Sequence, residues 1–156
     1  MRFAYLAETI RAAEAPLLEA QPGLLMQRAA TGLASVLLRE LRTLRGGAYG
    51  ARVLIVAGSG NNGGDALFAG AQLARRGVRV RAWLTSERAH EQGWAAFIGA
   101  GGRQLDALGA LAELGSSDLV VDGVLGIGGR AGLREPVALF RSEEHTSELQ
   151  SPIDIS

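Results

Sequence analysis

Apolar residues occur along this chain in two patterns, and the change between them marks the predicted elements. The run Val53–Ala57 is continuously apolar and is bounded by Arg52 and Gly58, which is typical of a parallel strand buried on both faces. Elsewhere apolar residues recur every three or four positions, which is the period of an amphipathic helix. The patterns predict strands at residues 52–57, 78–84, 103–105 and 119–122, and helices at 9–18, 24–45, 64–76, 88–100 and 107–114.

Strands and helices alternate in this prediction, so each strand is joined to the next through a helix. Such crossovers make the strands parallel and place helices on both faces of the sheet. The predicted fold is α/β, a Rossmann-like three-layer α/β/α arrangement with a mostly parallel sheet, incomplete at the C-terminus. Trp83 and Trp94 are expected to pack in the core or at its rim. The helix at 24–45 is expected to bury a stripe made of Leu33, Val36, Leu37, Leu41 and Leu44.

A glycine-rich segment, Gly58–Asp65, follows the first predicted strand and reads Gly-Ser-Gly-Asn-Asn-Gly-Gly-Asp. In open α/β sheets, ligands bind at the carboxyl ends of the strands, where glycines let backbone N–H groups approach a phosphate. A plain tight turn would explain the glycines but not Asn61, Asn62 and Asp65. The glycine spacing also fits the dinucleotide fingerprint. However, the second strand, which ends at Leu84, lacks the acidic residue that would hold a ribose.

Asp122 closes a second apolar run, Leu119–Val121, and glycines follow it. Because parallel strands end at the same edge of a sheet, the Asp122 carboxylate is expected beside Asn62 if the two strands are neighbours. A carboxylate and an amide oxygen are suitable ligands for a hard cation. A strand-terminal Asp also commonly caps the turn that follows it. On this segment alone both interpretations stand.

Few residue types are available for catalysis. The chain has no Cys and no Lys, which excludes thiol nucleophiles, thiolate metal sites, Schiff-base chemistry and a Walker phosphate loop. Its histidines are His90 and His145. His90 lies in a charged stretch and is expected to be a solvated helix residue rather than a base. Acid–base chemistry therefore falls to carboxylates.

The two glycine segments together resemble the NAD(P)H-hydrate epimerase family, of the YjeF N-terminal type. That family carries a G-x-G-N-N-G-G-D loop and, later in the chain, a V-D-x-x-x-G-x-G segment, which match Gly58–Asp65 and Val121–Gly128. Leu25–Gly32 also resembles the family's first helix, L-M-x-R-A-A/G. The resemblance runs from about residue 14 to residue 136.

The resemblance implies an isomerase that equilibrates the R and S C6-hydroxyl epimers of hydrated NADH and NADPH, with one potassium ion per subunit. Loss of hydroxide to a ring cation and return of water to the other face need a general acid and then a base. We expect Asp65 in that role and Asn62 and Asp122 as potassium ligands. Ile127 replaces the family's commoner Thr, so its position would be read through the backbone. The residues expected to contact the hydrated dinucleotide are Asn61, Asn62, Gly63, Gly64, Asp65, Gly126, Ile127, Gly128, Gly129, Arg130, Ala131 and Gly132.

The resemblance also implies a functional partner, an NAD(P)H-hydrate dehydratase that could be fused in the natural protein, and it leaves a homodimer open. Nucleic acid is not expected as a partner, because the arginines are scattered without aromatic residues between them. A membrane is not expected either, because the sequence has no apolar run of about 18 residues. The acids near Met1 do not fit a signal peptide. A cytoplasmic location is expected.

The last residues differ in composition from the rest of the chain. All eleven residues of Arg141–Ser151 match the in-frame translation of a common short-read sequencing adapter. We therefore expect residues 1–140 to be a truncated epimerase-type domain and residues 141–156 to be an artefactual tail, with a genuine disordered tail as the alternative. The resembled family continues with another strand and a D-x-P-S-G segment. A chain without them is expected to be poorly active or inactive and to expose an unpaired strand edge.

Three functions stay open on the sequence: a hydrate epimerase, a catalytically inactive Rossmann-like module that binds a ligand or a protein, and an NAD-binding oxidoreductase. The presence of Asn62, Asp65 and Asp122 favours the first over the second. The missing ribose-binding acid disfavours the third.

Re-reading the source locus through the codon for Phe140, with long reads that use no such adapter, tests the tail hypothesis. We expect the frame to continue into a segment encoding D-x-P-S-G. A stop codon directly after Ser156 in those reads would instead show the tail to be genuine, and would favour the inactive module.

Overall fold

The computed structural model describes residues 22–124 and, for the backbone, residues 151–154. The helix predicted at 9–18 lies outside these ranges. Within them, no helix has both the length and the apolar character needed to cross a membrane. The elements are α1 (Pro22–Arg45), β1 (Arg52–Ala57), α2 (Asn61–Arg75), β2 (Arg79–Leu84), α3 (Glu91–Gly99), β3 (Arg103–Leu105), α4 (Ala107–Leu114), β4 (Leu119–Gly123) and β5 (Ser151–Asp154).

The described strands form one sheet in the order β3-β2-β1-β4-β5, and every neighbouring pair is parallel. The chain runs outward from β1 through β2 to β3 and then returns to place β4 on the other side of β1. Val56 of β1 is in register with Trp83 on one side and with Asp122 on the other. The predicted parallel α/β fold is confirmed. The order of the strands reverses between β1 and β4, and open α/β sheets bind their ligands at such a point.

The side chains of β1 alternate between two separate cores. Val53 and Ile55 pack in one core with residues of α1, α2 and α3. Leu54 and Val56 pack in the other core with residues of α4, among them Leu114. Helices therefore cover both faces of the sheet, which confirms the three layers.

The predicted starts of four elements differ from the structure. α1 begins at Pro22 rather than at residue 24, and the other three differences each have a local cause. β2 begins at Arg79, because Gly77 turns the chain directly before it with a φ of +85°. α3 begins at Glu91 rather than at residue 88, because His90 caps its first turn. α2 begins at Asn61 rather than at residue 64, so the Asn-Asn-Gly-Gly-Asp segment is helical.

The predicted stripe of α1 is confirmed in its middle and wrong at its end. Leu37 and Leu41 are fully buried, and Leu33 and Val36 are partly buried against the same core. Leu44 is 49% exposed. Residues 42–46 are all exposed, so the core ends about one turn before the helix does.

The two tryptophans pack as predicted. Trp83 is buried in the core beneath α4, and Trp94 is partly buried against the core on the other face of the sheet.

A further strand, β5, covers the edge of β4, so β5 and not β4 is the outer strand on this side of the described sheet. β5 pairs in parallel with β4 in a register that places Asp154 opposite Asp122. An edge strand offers free backbone N–H and C=O groups, and a short extended segment can satisfy them. β5 falls within the segment that we expected to be a tail, and the division of the chain at residue 140 stays a prediction.

Replacing Leu41 by Ala is expected to lower the free energy of unfolding by about 2–5 kcal/mol, because the side chain is fully buried and its removal leaves a cavity. Leu44→Ala makes the same chemical change in the same helix at an exposed position, and it should cost less than about 1 kcal/mol. Urea titrations followed by circular dichroism measure both values. Equal losses in the two variants would contradict the position of the core along α1.

Candidate functional site

The carboxyl ends of β1 and β4 are held together by glycine backbone. The N–H of Gly58 donates to the carbonyl oxygen of Gly123 at 3.1 Å. A Cβ on Gly58 would lie 2.8 Å from the carbonyl oxygen of Val124, which is closer than side chains tolerate. The strand ends can therefore approach this closely only because residue 58 has no side chain.

The chain folds back sharply after β1, and a second glycine makes this possible. A Cβ on Gly63 would lie 1.9 Å from the carbonyl oxygen of Gly58, so no other residue fits there without a backbone shift. The N–H of Gly64 donates to the carbonyl oxygen of Gly60 at 3.1 Å, which closes the first turn of α2. The loop that we predicted from Gly58 to Asp65 thus reduces to its first residues, and the rest of the segment is the start of a helix.

The first turn of α2 has features of an anion-binding site. Its N-cap residue is Gly60, which provides no side-chain acceptor for the first N–H groups of the helix. These groups carry the positive end of the helix dipole, which favours a phosphate or carboxylate. The geometry places this end of α2 directly at the switch point of the sheet.

Three polar side chains predicted for the site are buried. Asn62 is 6% exposed, Asp65 is 7% exposed and Asp122 is 8% exposed. Asn61 is exposed at the start of the helix. Buried polar groups are rare enough in cores to need either a structural or a functional explanation.

Asn62 and Asp122 are brought to the same place, as the sequence predicted. A Cβ on Gly123, the residue after Asp122, would lie 3.2 Å from the carbonyl oxygen of Asn62 and 3.0 Å from the Cβ of Ala66. Asp65 lies three residues after Asn62, so the two side chains share one face of α2. Asn62, Asp65 and Asp122 therefore all lie at the carboxyl ends of β1 and β4, and we refer to these three residues as the cluster.

Asp122 also caps the turn after β4, so the second interpretation of this residue, as a turn cap, is confirmed. Its Oδ1 accepts a hydrogen bond from the N–H of Val124 at 3.1 Å, which fixes the turn after β4. This bond uses one of the two carboxylate oxygens. A turn-capping role and a ligand role are therefore compatible in the same side chain.

The oxygen atoms available at this cluster are suitable ligands for a cation that prefers oxygen. Asn62 provides an amide oxygen, Asp122 provides a carboxylate, and backbone carbonyls lie beside them. Among residues 22–124, no group of three or more His, Cys, Asp or Glu side chains could hold a metal. A low-charge set of oxygens fits a monovalent cation better than a transition metal.

The prediction for His90 is wrong, because this residue is partly buried and lies against the site. Its Nδ1 accepts a hydrogen bond from the N–H of Gly93 at 3.0 Å, and this bond caps α3. Its ring contacts Gly64, where a Cβ would lie 2.7 Å from the imidazole Cγ. The ring also meets Phe68 edge-on, with centroids 5.9 Å apart. The spacing of His90 and Gly93 could have suggested the cap, but no sequence signal indicated the contact with α2.

The second predicted ligand segment, Gly126–Gly132, lies outside the described residues. A polar cavity of about 100 Å³ is lined by Arg52, Arg79, Arg81 and Glu113. It lies at the amino ends of the strands, at the opposite edge of the sheet from Asp65. The predicted site residues that the structure describes therefore lie at the carboxyl ends of the strands.

Comparison with known proteins shows the family to which the chain belongs. The family described as YjeF-related protein N-terminus matches residues 23–148. The bifunctional NAD(P)H-hydrate repair enzyme Nnr of Mycobacterium tuberculosis is 49% identical over 140 residues, which are 88% of this chain and 28% of that protein. The NAD(P)H-hydrate epimerase of Microbacterium testaceum is 46% identical over 126 residues, which are 80% of this chain and 46% of that protein. The chain therefore spans less than half the length of either relative.

The crystal structure of yeast ynu0, YNL200c, has the same fold. It superimposes with a TM-score of 0.78 at 23% sequence identity, and the match covers 99% of this chain and 70% of that one. From the family match and the relatives, we conclude that this chain belongs to the YjeF-related N-terminal domain family.

Proposed function

We propose that this chain is an epimerase domain that interconverts the R and S C6-hydroxyl epimers of hydrated NADH and NADPH. The observation that carries the proposal is that Asn62, Asp65 and Asp122 are each buried at the switch point of the sheet. The names of the relatives support it, since both concern NAD(P)H hydrate. In this proposal, the hydrated nicotinamide ring binds and reacts at the cluster.

The start of α2 would bind the substrate. The uncapped N–H groups after Gly60 suit the phosphates of a dinucleotide. Gly63 and Gly64 keep that turn free of side chains, and Asn61 and Asn62 add amide groups that can both donate and accept hydrogen bonds. The segment Gly126–Gly132 belongs to the same proposal as a second contact to the substrate.

Asp65 would carry the proton transfers. In its acid form it would protonate the C6 hydroxyl, which leaves as water while the ring nitrogen stabilises the resulting cation. Water then adds to the opposite face of C6, and its proton returns to the Asp65 carboxylate, which restores both the neutral hydrate and the acid. General acid–base catalysis of this kind contributes about 10²–10⁴-fold to a rate.

Asn62 and Asp122 would hold one potassium ion per subunit. The ion would supply a fixed positive charge that offsets the Asp122 carboxylate and the phosphates of the substrate. Asp122 is suited to this role because its hydrogen bond from the Val124 N–H holds the carboxylate in place at the end of β4.

The wider setting of the domain is part of the same proposal. A bifunctional relative is consistent with a dehydratase domain fused in the natural protein. By interconverting the epimers, this domain would supply such a dehydratase with the single epimer on which it acts. We place this repair in the cytoplasm, and a homodimer remains compatible with it.

Asp65→Asn is expected to lower epimerisation by about 10²–10⁴-fold in the complete protein, because the amide cannot transfer the proton. The assay starts from one purified epimer of hydrated NADH and follows the other by chromatography, after subtraction of the spontaneous rate. Asp118→Asn is the matched control. It makes the same change just before β4, at the opposite edge of the sheet, where Asp118 pairs with Arg45. The 156-residue chain itself is expected to show little or no activity.

Full epimerisation by Asp65→Asn together with its loss in Asp122→Asn would reverse the roles of the two carboxylates. Hydride transfer by an unmutated protein that does not epimerise would favour the oxidoreductase. Inactivity of the unmutated complete protein in both assays would favour the binding module.

Replacement of potassium chloride by choline chloride at equal ionic strength is expected to lower the epimerase rate. In Asp122→Asn, the potassium concentration for half-activation should rise roughly tenfold, the effect of about 1.4 kcal/mol of lost charge attraction. Asp118→Asn should leave that concentration unchanged. An epimerase rate that is independent of potassium from zero to saturating salt would remove the ion from the proposal.

A further inference from the structure

The first turn of α2 has no side-chain cap of its own, yet it carries Asn62, Gly63 and Gly64 and leads directly into Asp65. Helix ends without caps fray readily, because their first N–H groups have no partner in the helix. A precise site at this end therefore needs support from a neighbouring element. In the described part of the molecule, the start of α3 packs against this turn, in addition to the ends of β1 and β4.

α3 reaches this turn through His90 and Gly93. The His90 ring lies against Gly64, and a Cβ at position 64 would come within 2.7 Å of its Cγ. Gly93 is equally close, since a Cβ on Gly93 would lie 3.2 Å from the carbonyl oxygen of Gly64 and 3.3 Å from the Cα of Gly64. The backbone of Gly64 therefore fits closely against both residues.

Two interactions fix the His90 ring itself. Its Nδ1 accepts from the Gly93 N–H at 3.0 Å, which ties the ring to the first turn of α3. The ring also packs edge-on against Phe68, which lies one turn beyond Gly64 in α2, and this contact holds the ring against that helix. One side chain thus caps α3 and braces two successive turns of α2.

We propose that His90 is a positioning residue for the site: it holds the first turn of α2 in the orientation that places Asp65 and Asn62 for the reaction. The inference rests on the proposed function for its catalytic part, but the brace itself does not depend on it. A misplacement of about 1 Å at a reacting group can cost about 10²-fold in rate, so loss of the brace should reduce turnover.

The chain contains a matched control for the cap. Asp106 caps α4 in the same way, with its Oδ1 accepting from the Gly109 N–H at 2.7 Å, three residues on. α4 packs on the opposite face of the sheet from α2 and α3. Asp106→Ala therefore removes an equivalent cap without touching the brace.

The test compares His90→Ala, His90→Asn and Asp106→Ala. Asn is a strong N-cap residue but has no ring, so it restores the cap of α3 and not the contact with Gly64. We expect His90→Ala to lower Tm by at least as much as Asp106→Ala, and His90→Asn to restore only the part of that loss that is due to the cap. The Gly64 amide, which bonds to the Gly60 carbonyl oxygen, should exchange with solvent faster in both His90 variants and at the unmutated rate in Asp106→Ala.

Turnover is measured in the complete protein, well below the Tm of every variant. We expect kcat to fall about tenfold or more in both His90 variants, with KM changed less, and to stay unchanged in Asp106→Ala. Unmutated Gly64 exchange and full kcat in His90→Asn would overturn the inference and leave His90 as a simple cap. If the unmutated protein does not epimerise hydrated NADH, the proposed function fails, and the Gly64 exchange rates still decide whether the brace exists.

Discussion

The structure depends on a close approach of backbone where β1 ends. The Gly58 N–H bonds to the Gly123 carbonyl oxygen, and Gly63 lies so close to Gly58 that a Cβ would overlap its carbonyl oxygen. These contacts join β1, β4 and α2 at one point. They leave no space for side chains from residues 58 and 63, so the polar groups of the neighbouring residues are the ones that line this edge. A glycine pattern that looks like a loop signature in the sequence is thus a packing requirement in the structure.

The order of the strands explains why the cluster forms there and not elsewhere. The chain winds outward from β1 to β3 on one side and then crosses back to β4 on the other side of β1. In open α/β sheets, a crevice opens between the carboxyl ends of two strands at such a reversal of strand order. Asn62 and Asp65 lie at the start of α2 and Asp122 lies at the end of β4, beside this point. Residues about sixty positions apart in the chain are brought together by one pair of strands.

The sequence was sufficient for the features that depend on local pattern or on strand pairing. β1 and α4 have their predicted bounds, and the pairing of β1 with β4 follows from two apolar runs that end in polar residues. The start of α2 was missed because Asn and Gly are poor helix formers, and tertiary contact at Gly63 overrides that preference. The exposure of Leu44 was missed because periodicity gives the face of a helix but not where its neighbour ends. His90 was missed because its contact with Gly64 joins two helices, and no spacing within one helix reveals it.

In the proposed function, the ligand binds at the carboxyl ends of β1 and β4. This binding is tested by titrating hydrated NADH into the isotopically labelled chain and following its backbone amides by NMR. We expect saturable shifts in Gly58–Asp65 and in Gly123 and Val124, and none around the arginine-lined cavity at the amino ends of the strands. Saturable shifts at Arg52, Arg79 and Arg81, with an unchanged Gly58–Asp65 segment, would contradict it.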